Sequence, residues 1–160
     1  MIPVTNIKTC LWFETQAEEA TRFYTSIFAG SKVLGEMRWG EGGFGPQGSI
    51  IAMDFELAGR PFMALNGAQG VAFNDSVSIA VDCASQVEID ALWEKLCDGG
   101  KPSQCGWLKD KFGVSWQIVP KELPALLTDK DPVKRKRVFD AMLQMSKLDL
   151  ARLKQAHAGR

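Results

Sequence analysis

The sequence has a single histidine, His157, close to the C-terminus. That scarcity excludes a zinc site built on several imidazoles. It also excludes a Ser-His-Asp or Cys-His apparatus, unless the tail folds back into a pocket. His157 itself reads as a solvated tail residue. The four cysteines, Cys10, Cys83, Cys97 and Cys105, form no CxxC pair, and free thiols in a reducing cytoplasm are expected. No window approaches the roughly 18 consecutive apolar residues of a membrane span. The opening "MIPVTNIKTC" lacks the basic start and apolar stretch of a signal peptide. Lys+Arg and Asp+Glu number 19 each, so the net charge is zero. That leaves no surplus for a nucleic-acid or anionic-membrane surface.

What is present is an ordinary soluble composition, 46% hydrophobic and 24% charged over 160 residues. A chain of this length buries roughly 70% of its unfolded surface, enough for one domain or for two small halves. "IKTCLWF" (7–13) is rich in β-branched and aromatic residues and predicts a strand. Thr15-Gln-Ala-Glu18 reads as a capping box opening a helix, with Ala17, Ala20, Tyr24, Ile27 and Phe28 at helical spacing and Gly30 as its stop. Strands are expected at 32–39, 49–57 and 60–65, the last two joined at Ala58-Gly59, with a glycine-rich loop at 40–48.

The pattern then restarts. "SVSIAVDC" (76–83) predicts a strand, Ser85-Gln-Val-Glu88 a second capping box, and Ile89, Leu92, Trp93 and Leu96 a helical stripe ending at Gly99-Gly100. Thr15 and Ser85, Phe23 and Trp93, and Gly30 and Gly100 share one offset of 70 residues. Two copies of a β-α-β-β-β unit follow, an α+β architecture with module one at about 1–70 and module two at about 75–120. Short strands are expected around Ser103–Cys105, Trp107–Lys109 and Val114–Val119, with Asp110 and Gly113 at the ends of a type I turn. Asp131-Pro132 is an N-cap followed by a first-turn proline, and the remaining apolar stripes predict two amphipathic helices in a tail over 121–160. Such a tail must cover either the domain or a partner subunit.

"CLWFETQAEEATRFYTSIF", "FMALNG", "VDCASQVEIDALWEKL" and "QCGWLKDKFGVSWQIVP" resemble the PhnB-like family of the glyoxalase/bleomycin-resistance/extradiol-dioxygenase (vicinal oxygen chelate) superfamily, over about 1–120 and with an expected extension into "AMLQMSKLDLARL" of the tail. The resemblance implies paired βαβββ modules, cupped mixed sheets around a small-molecule cavity, and a homodimer. The same family often carries the label of a demethylubiquinone methyltransferase. A Rossmann-type methyltransferase needs a glycine-rich turn opening a helix. "GEGGFGPQG" (40–48) is followed by no helical pattern.

Metal-dependent members of that superfamily place a His or Glu on each of four strands. Carried over by position, these fall at Thr9, near Ala64, near Ser76 and at Gln117. Three are neutral polar groups and one has no donor, so neither a metal nor another cofactor is expected. With Gln117 facing the cup, Ser115 and Val119 share its face, while Trp116 and Ile118 turn to the helices. With Thr9 facing the cup, Leu11 and Phe13 do so too, and Cys10 and Trp12 pack behind. Asn66, Ser76, Cys105 and Trp107 complete the candidate lining. Cys105 reads as an inert thiol, because only Lys109 and Lys111 are near enough to lower its pKa. Trp93 and Trp116 read as core, "VKRKRV" (133–138) as a solvated basic face, and Asp54 and Glu56 as solvent-facing carboxylates. The expected function is metal-free binding of a small aromatic or amphipathic molecule. The alternatives are a metal-independent enzyme of the lyase or isomerase type on the same cup, and the methyltransferase named by the family label.

Overall fold

A computed structural model describes residues 2–160. The chain forms two compact units, one ending at Ala72 and the other spanning Phe73–Arg160. In the first, β1 (Thr9–Phe13) leads into α1 (Ala17–Ile27), β2 (Lys32–Arg38), β3 (Ile50–Leu57) and β4 (Arg60–Asn66). The second repeats the series with β5 (Ile79–Cys83), α2 (Gln86–Cys97), β6 (Lys101–Pro102), β7 (Trp107–Lys109) and β8 (Ser115–Pro120). The sheets have matching orders, β1-β4-β3-β2 and β5-β8-β7-β6. In both, the first strand runs parallel to the last and the other pairs are antiparallel. The α+β duplication is therefore present, and β5 begins and ends 70 residues after β1.

In the first module α1 sets the core. Ala17, Ala20, Thr21 and Tyr24 are buried along one stripe, and three of the four are small enough to let the helix approach β3 and β4 closely. Beneath them lie Met53, Phe55, Phe62 and Ala64, of which Met53, Phe55 and Ala64 have no exposure. Phe55 and Phe62 are register partners whose rings stack at 5.4 Å between centroids. Such a pair adds about 0.5–1.5 kcal/mol beyond the area it buries.

The Thr15 capping box does not form. α1 opens at Ala17, with Gln16 at the N-cap and no side-chain cap bond. Asn66 at the end of β4 supplies the acceptor instead: Ala17 N donates to Asn66 Oδ1 at 2.9 Å, while Asn66 Nδ2 donates to Ile50 O at 3.0 Å. The second box does form. Glu88 N donates to Ser85 Oγ at 3.3 Å, and Glu88 Oε2 accepts from Ala84 N at 2.8 Å. Ser85 has the extended backbone of a true N-cap.

The glycine-rich loop is a wrapping for Trp39. A Cβ at Gly43 would lie 2.6 Å from the indole, and one at Gly45 2.4 Å from its Nε1. β3 follows, so these glycines admit a ring rather than a phosphate.

The tail contains three helices, not two: the short α3 (Leu123–Leu127), α4 (Pro132–Leu143) and α5 (Leu150–Ala158). α3 is one turn and a half of "LPALL", too short to show a periodic stripe. Asp131 caps α4 by accepting from Val133 N at 2.8 Å, with Pro132 following. Leu123, Val138, Met145, Leu148 and Leu153 form a separate buried cluster, with Val119 of β8 packed against it.

The tail is tied to its own module by backbone. Cys105 N donates to Met145 O and Gly106 N to Ser146 O, both at 2.7 Å, and the Gln86 amide bonds Leu148 O and Leu150 N. Gly106 is required there: its φ is +83°, and a Cβ would come within 2.7 Å of Ile118 O. The 103–106 segment is accordingly a turn, and the strand expected at Ser103–Cys105 lies instead at Lys101–Pro102. The basic run on α4 is only partly solvated. The Arg137 guanidinium donates to the carbonyls of Ala156 and His157, closing the end of α5, and Arg135 bonds Asp129 O.

Candidate functional site

Each sheet has one face under a helix and one open face. In module two the sequence alternation gives the faces correctly. Trp116 and Ile118 are fully buried, and their register partners are Leu108, Ile79 and Val81. Ile89 and Leu96 of α2 are buried above them. The opposite face carries Ser115, Gln117 and Val119 on β8, Trp107 and Lys109 on β7, and Lys101 on β6.

Asp110 fixes this hairpin. It is 3% exposed, its Oδ1 accepts from Phe112 N at 2.9 Å and Val114 N at 3.0 Å, and its Oδ2 accepts from Trp116 Nε1 at 2.8 Å. One carboxylate thus closes the turn and locks Trp116 into the core, which leaves Ser115 and Gln117 no choice but the other face.

On that face the polar groups are paired. Ser115 Oγ donates to Asp75 Oδ1 at 2.7 Å, and Lys109 Nζ lies 3.2 Å from the same oxygen. The Ser115 hydroxyl first, and then the Lys109 ammonium, hold the Asp75 carboxyl below its ordinary value. Gln117 Nε2 donates to Ser78 Oγ at 2.9 Å. A pocket of 480 Å³ lies on this module, lined by Asp75, Lys101, Pro102, Ser103, Trp107, Leu108 and Lys109. Trp107 is half-buried, a ring with one side still available.

Module one reverses the sequence expectation. Leu11 is 5% and Phe13 2% exposed. Their register partners are Ala64 and Asn66, on the face whose Asn66 reaches the first turn of α1. Thr9, opposite Phe62, shares that side. Leu11, Phe13 and Asn66 therefore belong to the core and the helix cap. The open face carries Cys10 and Trp12, both exposed, with half-buried Met63, Leu65, Ala52, Asp54 and Glu56. Asp54 and Glu56 are not bare in solvent: Lys8 pairs with Asp54, and Lys32 with Glu56 at 3.4 Å. Asn6, Lys8, Leu34, Gly35, Asp54, Pro61 and Phe62 line a smaller pocket of 210 Å³.

Of the other candidates, Ser76 is exposed and lies ahead of β5, its N–H held by Asn74 Oδ1. Ser78 takes the place beside Gln117 instead. Cys105 sits at φ +57°, its Sγ 3.6 Å from Met142 O under the tail. Cys83 is a core thiol pushed up to about 11 by burial, with Glu88 and Asp82 adding to the effect. The structure thus gathers Trp107, Ser115 and Gln117 on one face and leaves Leu11, Phe13, Asn66 and Cys105 elsewhere. Sequence reasoning missed Asp75 and Lys101. Lys109 was accessible from alternation with Trp107, but Lys101 and Asp75 need the strand register.

The four positions carried over from metal-dependent relatives offer three neutral polar side chains and one methyl group. Ala64 faces α1, and Gln117 and Ser78 satisfy each other. An ammonium, Lys8, stands on the open face of module one. Among the described residues no group of three or more His, Cys, Asp or Glu is placed to hold a metal ion. The donor set does not fit Zn²⁺, Ni²⁺ or Fe²⁺.

A family model described as 3-demethylubiquinone-9 3-methyltransferase matches residues 5–119, β1 through almost all of β8. The chain belongs to this family. It is similar to a Bacillus cereus PhnB protein, itself described as a putative 3-demethylubiquinone-9 3-methyltransferase. The identity is 36% and the TM-score 0.68, with 72% of this chain and 99% of that one covered. Protein PA1353 from Pseudomonas aeruginosa matches at 20% identity and TM-score 0.59 over 71% of this chain and 95% of its own. The fosfomycin resistance protein FosX from Mesorhizobium loti matches at 15% and 0.52, over 78% and 99%. These last two share the fold alone. No curated protein matches. The protein is thus a PhnB-like member of the family described as 3-demethylubiquinone-9 3-methyltransferase, and the tail helices lie beyond the matched region.

Proposed function

We propose that this PhnB-like protein binds a small aromatic or amphipathic molecule in the pocket beside Trp107, without a metal ion. The single observation that carries the reading is the 480 Å³ pocket with a half-buried indole in its wall and a few polar groups around it. That size and make-up suit a small organic ligand. The Ser115–Asp75 hydrogen bond supports it further, because it fixes one of the lining side chains in advance. The ligand test is calorimetry against a panel of aromatic and amphipathic compounds. Binding should be weakened at least tenfold by Trp107→Ala, and unchanged affinity in that variant would move the site elsewhere. Metal titration should find no tightly bound ion, and one ion per chain would overturn the metal-free part. We further propose a homodimer with free thiols in the cytoplasm.

The family description favours a second reading, methyl transfer from S-adenosylmethionine. Against it, the one glycine-rich loop enfolds Trp39 and leads into a strand, so no helix N-terminus follows to meet a donor's charge. Calorimetry with S-adenosylmethionine decides between them: saturable binding would favour the transferase.

A further inference from the structure

Lys101 and Lys109 are register partners on β6 and β7, so two ammonium-bearing side chains leave the same face side by side. Like charges placed directly opposite destabilise a sheet unless something answers them. Asp75 answers one: it lies 3.2 Å from Lys109 and is fixed in place by the Ser115 hydroxyl. Lys101 makes no ion pair among the described residues, although it lines the same pocket as Trp107. The pocket therefore carries two cations and one carboxylate, an excess of one positive charge next to an aromatic ring.

We infer that the pocket beside Trp107 takes an aromatic monoanion of the carboxylate class, its ring on the Trp107 indole and its charge on Lys101. This rests on the reading that the pocket binds a small molecule, and it adds the sign of the ligand's charge and the residue that reads it. Lys109 is the lesser partner because its ammonium is already held by Asp75. An ammonium at a partly open site recognises an anion as a point charge and keeps its reach through a flexible stem.

The test uses the full chain and two probes of one shape, naphthalene-2-carboxylate and naphthalene-2-carboxamide, titrated by calorimetry at low and high salt. The carboxylate should bind about fivefold tighter, ~1 kcal/mol, and the advantage should shrink as salt screens the pair. Lys101→Gln should remove that advantage and leave the carboxamide affinity unchanged. Trp107→Ala should weaken both probes together. Equal affinity for the two probes in the natural sequence would overturn the inference while leaving small-molecule binding intact. So would a carboxylate advantage that survives Lys101→Gln. Failure of both probes to bind at millimolar concentration would overturn the binding reading and this inference with it.

Discussion

Module one and module two are the same βαβββ frame put to different uses. In module one the three later strands run seven, eight and seven residues, and the helix has no cap of its own, so Asn66 reaches up from the end of β4 to provide one. In module two the corresponding strands shrink to two, three and six residues, the helix is capped locally by Ser85, and the tail helices pack a second core beside β8. The open faces differ in the same sense. Module one answers the carboxylates of its open face with Lys8–Asp54 and Lys32–Glu56 ion pairs, beside a pocket of only 210 Å³. Module two leaves a larger pocket, of 480 Å³, with an unanswered ammonium beside its indole. The lesson is that a duplicated frame preserves strand order and the helix-facing core, whereas capping, strand length and open-face chemistry are free to diverge.

The contrast is broken most severely at Asp110. Asp110→Ala removes the acceptor of two backbone N–H groups and of the Trp116 indole, all inside or at the edge of the module-two core. Stranding several buried donors costs about 3–5 kcal/mol, at the upper end of single substitutions. Urea unfolding should register that loss, and a loss below about 1 kcal/mol would mean the turn holds its register by backbone alone. The next effect compares the two caps. Asn66→Ala removes a cap and a second bond to Ile50 O, and should cost about 1–2 kcal/mol; Ser85→Ala removes one cap bond and should cost about 1 kcal/mol. Equal losses would show that the borrowed cap carries no more than the local one.

How much of this was legible depends on whether the pattern chose a face. "SWQIV" alternates polar and apolar residues, so its faces follow directly, and the Asp110–Gly113 turn fixes the phase. "CLWF" is apolar on both faces. Alternation there says which residues share a side but not which side bears the helix, and the choice that put Thr9, Leu11 and Phe13 in the cup was the wrong one of two. The capping boxes show the same limit. T-x-x-E and S-x-x-E read alike, yet only the second forms, because in the first a residue about fifty positions away competes for the helix end. The 70-residue offset, by contrast, was legible because strand, helix and stop all repeat together. The pocket's cations were hidden because Lys101 meets Lys109 only once the β6–β7 register is known.

The smallest effect sharpens the comparison at the centre of module one. Thr21 lies in the stripe of α1 pressed onto the sheet, fully buried, and its hydroxyl has no hydrogen-bond partner among the described residues. Its carbonyl is occupied, accepting from Thr25 Oγ1 at 2.8 Å, and that bond does not depend on the Thr21 side chain. Valine has nearly the same shape and much the same helix propensity as threonine. Thr21→Val should therefore leave the packing on β3 and β4 in place while relieving the desolvation of a stranded hydroxyl, a gain of about 1 kcal/mol. Unfolding in urea should show a higher midpoint at unchanged slope. A loss of stability would mean that the hydroxyl has an unseen partner beneath the helix. Module one would then carry a buried polar contact under α1, where Ile89 and Leu96 give module two an apolar seam.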